Sequence, residues 1–303
     1  NFIAGNNAGD AIQSGGDNNT LVGNEAGTAI TTGDRNTAVG FEALKTATTA
    51  QFNVAVGYQA LENNTGNSNT AVGDQALEAN TSGTNNVAVG DDALVANTTG
   101  VKNIAIGDSA LATNIDGDGN VAVGHQALQT LEPSDGLSHD TAIGYLAGKS
   151  ITTGQNNTIV GSLAGDALTT GGNNVAIGIE ALSTDTTGSN STAIGRNALF
   201  AQNFTGSENS ENTAVGSLAG QSVTSGQQNT LMGMGAGGSI TSGSANICIG
   251  REAATGSNDI SGETPITTGS GNVIIGKACQ AHAANASTVI VLGFECTATG
   301  NEN

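Results

Sequence analysis

Three histidines, three cysteines and a scatter of carboxylates are the side chains here whose chemistry could go beyond packing. His125, His139 and His282 stand far apart, with no H-x-x-x-H pair and no Cys/His cluster to hold a transition metal. Solitary histidines of this kind read as loop or surface residues. No serine occupies a G-x-S-x-G nucleophile elbow. Gly235-Ala236-Gly237-Gly238 has the composition of a phosphate loop, but not its lysine or its strand–loop–helix setting, and reads as a turn. Asp116-Gly117-Asp118-Gly119 has the outline of a calcium turn. It offers two carboxylates where a hard cation takes six or more oxygens. No catalytic residue, metal site or cofactor site is assigned, and the chain is expected not to be an enzyme.

Three cysteines make no disulfide framework. Cys248 holds a repeat position otherwise given to Ala. Cys279 and Cys296 are 17 residues apart, one repeat, and so belong on neighbouring coils. Stacked strands lie ~4.8 Å apart, which is within disulfide reach. Small buried thiols are favoured over a bridge, because Cys packs well as a small hydrophobe.

The balance of 7 Lys+Arg against 26 Asp+Glu gives a net charge of −19. That argues against nucleic acid as a partner, since phosphate binding needs clustered cations, and against docking on anionic lipid. No apolar run approaches the ~18–20 residues of a membrane helix, so no membrane insertion is expected. No signal-peptide pattern is legible at Asn1. Charged residues are only 11% and aromatic residues 3%, so Ala, Val and Ile must supply the core.

The elements that place these residues come from a repeat. The motif N-x-x-x-G recurs throughout, as in Asn53-Val54-Ala55-Val56-Gly57 and Asn103-Ile104-Ala105-Ile106-Gly107. Seventeen anchor glycines run from Gly5 to Gly293, mostly 17 residues apart. Asn stands four residues before the anchor in 14 copies, and Ala three residues after it in 15, replaced by Cys279 and Cys296 in the last two. A second Gly follows Thr-Thr or Thr-Ser, as in Thr98-Thr99-Gly100, and is expected to supply positive φ at a corner. One repeat then reads strand, corner, short second strand, corner. The fold class expected is all-β: a parallel β-solenoid, or β-roll, of about 17 coils forming one repeat domain over 1–303. At ~4.8 Å per coil the stack would be on the order of 80 Å long. No capping coil is legible at either end, so a segment of a longer fibre is expected. Longer spacings place insertions near 129–139, 200–211 and 254–270.

Side chains alternate along a strand. Val39, Val56, Val72, Val89, Ile106, Val123, Ile143, Val160, Ile177, Ile194 and Val215, just before the anchor, are expected to form the structural core. Ala38, Ala55, Ala71, Ala88, Ala105, Ala122, Ala142, Ala176, Ala193 and Ala214 then point the other way and form the candidate oligomer face. A strand apolar on both faces should be covered on both, and the simplest cover is a second copy. Ala105→Glu is therefore expected to split an oligomer. Core volume is conserved across copies. Eight read Ala-Leu after the anchor, and six read Ala-Gly with an aliphatic residue three positions later.

Asn53-Val54-Ala55-Val56-Gly57-Tyr58-Gln59-Ala60-Leu61, followed by Asn64-Thr65-Gly66, resembles repeats of phage tail-fibre proteins. It is also similar to the head repeats of trimeric autotransporter adhesins, whose repeats are shorter. The resemblance spans nearly the whole chain. It implies a homotrimer of β-rolls at a virion or cell surface, extracellular, serving as the shaft or head of an attachment fibre. The insertions would be where a receptor or glycan is met. The alternative is a monomeric ice- or surface-binding solenoid that uses the threonine columns. Adjacent threonines point opposite ways, which weakens that alternative.

Overall fold

The computed structural model describes residues 1–133, 136–206, 209–255, 265–281 and 283–298. They form an all-β parallel β-solenoid of about 16 turns, with no helix among them. Seventeen anchors bound about that many turns, as the repeat requires. The chain divides into two compact units, Asn1–Gln155 and Asn156–Asn303.

In the first unit nine three-residue strands, from Phe2–Ala4 to Thr141–Ile143, pair in parallel in sequence order. In the second unit eight more, from Thr158–Val160 to Ile290–Leu292, do the same. Equivalent residues stack: Thr37, Ala38 and Val39 pair with Val54, Ala55 and Val56. Insertions do not disturb this register. Val121 still meets Thr141, Thr192 meets Thr213 and Ile247 meets Val273. Longer coils of this kind cost little extra loop entropy.

The expected second strand does not form in most coils. Beyond the anchor the backbone is a succession of turns, and the described second-side pairing is Gln280–Ala281 with Thr297–Ala298. The coil turns through left-handed residues that carry side chains. In the coil that starts at Asn36, Glu42, Leu44 and Phe52 have φ of 56°, 54° and 60°. Each donates its N–H to an adjacent coil: Glu42 to Asn24 O at 3.0 Å, Leu44 to Ala60 O at 3.0 Å, Phe52 to Asp34 O at 3.2 Å. Inter-coil hydrogen bonds therefore continue around the corners and offset the strain of those conformations.

The two faces of the strand are the reverse of the expectation. Ala38, Ala55, Ala71, Ala88, Ala105, Ala122, Ala142, Ala176, Ala193 and Ala214 are fully buried and line the core. Val39, Val56, Val72, Val89, Ile106, Val123, Ile143, Val160, Ile177, Ile194 and Val215 face outward and are half-buried or exposed. The cause is volume. Leu44, Leu61, Leu77, Leu94, Leu111 and Leu128 fill the coil from the turn side and are fully buried. That leaves room for only a methyl group on the strand opposite. Where the turn-side residue is Gly, the cavity is filled from elsewhere. A Cβ on Gly27 would stand 2.8 Å from both Ile30 Cδ1 and Leu21 Cδ2. Ala105→Glu would therefore break the coil rather than split an oligomer, because it drives a charge into the core.

Asparagines lace the coil interior. Asn53, Asn69, Asn86 and Asn103 each donate the backbone N–H to the side-chain Oδ1 of the Asn one coil earlier, at 2.9–3.0 Å. Their Nδ2 groups reach across the coil, as from Asn86 to Gly100 O at 2.8 Å. The asparagines thus form a ladder, with each rung also tying one wall of the coil to the other. The departures are tolerated because only a backbone N–H is needed at a receiving position. Asp140, Ser191 and Val289 supply it at 2.9–3.0 Å. A second ladder, Asn64, Asn80, Asn97 and Asn114, stands seven residues after the anchor in four Ala-Leu copies. Each caps a corner Gly carbonyl, as from Asn80 to Gly83 O at 3.0 Å.

Candidate functional site

The feature with the chemistry of a contact surface is the outward strand face. The residues three before and one before each anchor project from it, and the strand register stacks them into columns. In the first unit Val72, Ile104, Ile106 and Ile143 are more than a third exposed. In the second unit Ile177, Met232, Ile247 and Ile275 are too. The residue after the anchor extends the same face. In the first unit Phe41 stacks on Tyr58 with centroids 5.3 Å apart, and His125 on Tyr145 at 5.6 Å. These are cross-coil pairs, created by the in-register stack. In the second unit Lys277 lies over the Phe294 ring at 4.7 Å. In each unit the column before the anchor is aliphatic and the column three before it mixes Val and Ile with Thr, while aromatic and charged residues stand on one flank.

The flank of the first unit is acidic in its middle coils. Asp74, Asp91 and Asp108 are exposed on successive coils. Burial pushes the Asp92 carboxyl above the usual carboxylate range, and Asp91, Asp74 and Asp108 push it further. Burial does the same to Glu78, with Glu62, Asp92 and Asp74 adding to it. Lys45 relieves the crowding lower down. It pairs with Glu42, and stands 3.5 Å from Glu25 and 3.6 Å from Glu62. Its hydrogen bond holds the Glu42 carboxyl below its usual range, against the opposing effect of burial, and Glu42 in turn holds the ammonium of Lys45 up.

The residues considered for catalysis or metal binding are not brought together. His125 Nδ1 lies 3.4 Å from Asp108 Oδ2, on the exposed flank. His139 turns a corner at φ 54°, and His282 lies outside the described residues. Asp118 Oδ1 accepts the Val101 N–H at 2.7 Å, so one carboxylate of the calcium-like turn serves the backbone. Among the described residues no group of three or more His, Cys, Asp and Glu is placed to hold a metal ion.

The insertions partly fold back into the core. Leu131 is fully buried, and Ser138 Oγ donates to Asn120 Oδ1 at 2.7 Å, so both ends of the 129–139 insertion are tied in. Residues 134–135 lie outside the described set. In the 200–211 insertion Phe204 is buried. There Gln202 Nε2 donates to Asp185 Oδ2 at 2.6 Å, while Phe204 N–H donates to Asp185 Oδ1 at 3.1 Å. Residues 207–208, and 256–264 of the third insertion, are outside the described set. The threonine pairs are also committed. Thr31, Thr81, Thr98 and Thr241 each donate Oγ1 to a carbonyl of the next coil, at 3.0–3.2 Å.

One signal in the sequence could have identified the outward columns. Ile3, Leu21, Ile159 and Leu231 replace Ala on the strand where the turn-side residue is Gly (Gly9, Gly27, Gly165 and Gly237), whereas the eight Ala-Leu copies all keep Ala there. Two positions that trade volume share one cavity. That places the Ala column inside and Val/Ile outside. No family model matches the chain, and no curated protein matches it.

Proposed function

We propose that this chain is a structural segment, shaft or head, of an extracellular attachment fibre of the phage tail-fibre or trimeric-adhesin kind, and that copies assemble through the outward strand face. The supporting observation is the column of exposed β-branched residues around Ile104, Ile106 and Ile143. Soluble monomers rarely expose contiguous apolar patches beyond a few hundred Å². The number three rests on the likeness to adhesin heads. Assembly through a repeated face also fits the small, unreactive side chains there, aliphatic residues and threonines: the face offers area rather than a reactive group. The insertions would meet a receptor or glycan, and the chain would not act as an enzyme.

A monomeric surface-binding solenoid is the second reading. It is favoured by the stacked outward threonines Thr192, Thr213 and Thr230 beside Ile194, Val215 and Met232. Light scattering in dilute buffer separates the two. A particle of about three times the 29.6 kDa chain supports the fibre segment, and a single-chain mass supports the surface binder.

A further inference from the structure

Cys279 and Cys296 each stand three residues after an anchor glycine, in the column that holds Ala in the other coils. Their coils are adjacent. Gln280 pairs with Thr297 in a parallel register, and Gln280 N–H donates to Cys296 O at 2.9 Å. The two Cα atoms are therefore about one strand spacing apart, ~4.8 Å, inside the range that disulfides span. Both thiols lie against the same residue. Cys279 Sγ donates to Gly293 O at 3.0 Å. Cys296 Sγ stands 2.4 Å from where a Cβ on Gly293 would be, so it fills the space that this glycine leaves. Cys279 is buried and Cys296 is partly open to solvent.

We propose that Cys279 and Cys296 form an intrachain disulfide that staples two successive coils of the second unit. The oxidant is a small-molecule disulfide. The Cys296 thiolate attacks one of its sulfurs, breaks the S–S bond and releases one small thiolate, leaving a mixed disulfide on Cys296. Cys279 then loses its proton and attacks Cys296 Sγ, expelling the second small thiol. Two protein thiols and one small disulfide become one protein disulfide and two small thiols, with the two protons carried by the products. The order follows from access. Burial raises the Cys279 thiol, so Cys279 suits the second, intramolecular step. Cys248 is a built-in control, because burial pushes its thiol up to about 12 and its position lies inside the strand column.

The test treats the folded full chain with oxidised glutathione, then unfolds it in an alkylating reagent and weighs it. The expected result is the loss of two alkylatable thiols, a mass decrease of about 2 Da before alkylation, and a crosslinked peptide joining Cys279 to Cys296. Cys248→Ser should leave this unchanged, and Cys296→Ala, which restores the residue of the other coils, should abolish it. A lasting glutathione adduct on Cys296 with Cys279 still alkylatable would overturn the proposal. So would chains joined to one another through Cys296.

Discussion

Glycine meets a different constraint at each of two corners of the coil. At the anchor it is required twice over. Gly57 has φ +142°, and a Cβ there would stand 2.0 Å from Gly73 O on the next coil. At the Thr-Thr-Gly corner, positive φ is not the reason, contrary to the expectation from sequence. Gly66 and Gly100 are absent from the positive-φ residues, yet a Cβ on Gly66 would stand 2.0 Å from Gly83 O. Close approach of stacked backbones alone excludes a side chain. Single polar side chains show the opposite failing. Gln280 stands in the core column that holds Leu or Gly in fourteen copies, and neither end of its buried amide has a partner among the described residues. Gln280→Leu should stabilise the chain by about 1–3 kcal/mol, because it removes an unpaired buried amide. Denaturant unfolding would show the midpoint rising with an unchanged m-value, and a fall would mean the amide is paired. Asn114 Oδ1 is orphaned for a legible reason: the next residue in its column is Leu131, which has no side-chain amide, and whose backbone N–H goes to Leu128 O.

The coil is the element, and its volume is fixed while its means of filling vary. The pattern implies an exchange experiment. Leu44→Gly should cost about 2–5 kcal/mol through the cavity it leaves. Adding Ala47→Ile should recover most of that, because with Ala38 on the strand it converts the coil to the arrangement of Ala142, Gly148 and Ile151. A double-mutant cycle by chemical denaturation measures this, and strict additivity of the two changes would contradict a shared cavity. The acidic flank makes a second prediction. The folded pKa values of Asp92 and Glu78 are raised, so these groups bind protons more readily folded than unfolded. Stability should therefore rise as pH falls from neutrality through the raised carboxyl values. It should fall again below the ordinary carboxylate range, where protonation removes the contribution of Glu42, whose pKa is lowered. Thermal unfolding against pH would show this maximum, and Asp92→Asn should flatten its acid-side rise. A monotonic fall in stability from neutrality would refute it.

Much of the coil could be read from the residues themselves. The anchor period gave the parallel stack and its register, and the Ala-Leu and Ala-Gly alternation gave the shared cavity. The orientation of the strand was not read correctly, because Ala and Val are both apolar and alternation alone does not say which faces inward. The left-handed corners were hidden for another reason. They fall on Glu42, Leu44 and Phe52 rather than on Gly or Asn, and inter-coil hydrogen bonds, which no local propensity reports, hold them there.

For the whole molecule the proposed assembly rests on the exposed strand face. With the two faces reversed, the proposed assembly would bury the larger residues of the strand. Val and Ile side chains offer more apolar area per coil than Ala, so covering them yields more hydrophobic stabilisation. A charge on this face should leave each coil intact, whereas one on the Ala column should not. The deciding measurement is the sedimentation-equilibrium mass of the native chain beside Ile106→Glu and, as a corner control, Thr99→Glu. A mass near three chains for the native protein and Thr99→Glu, falling toward 29.6 kDa for a still-folded Ile106→Glu, is the outcome expected. A native protein that sediments as a single chain, or an Ile106→Glu variant that assembles as well as the native one, would contradict it.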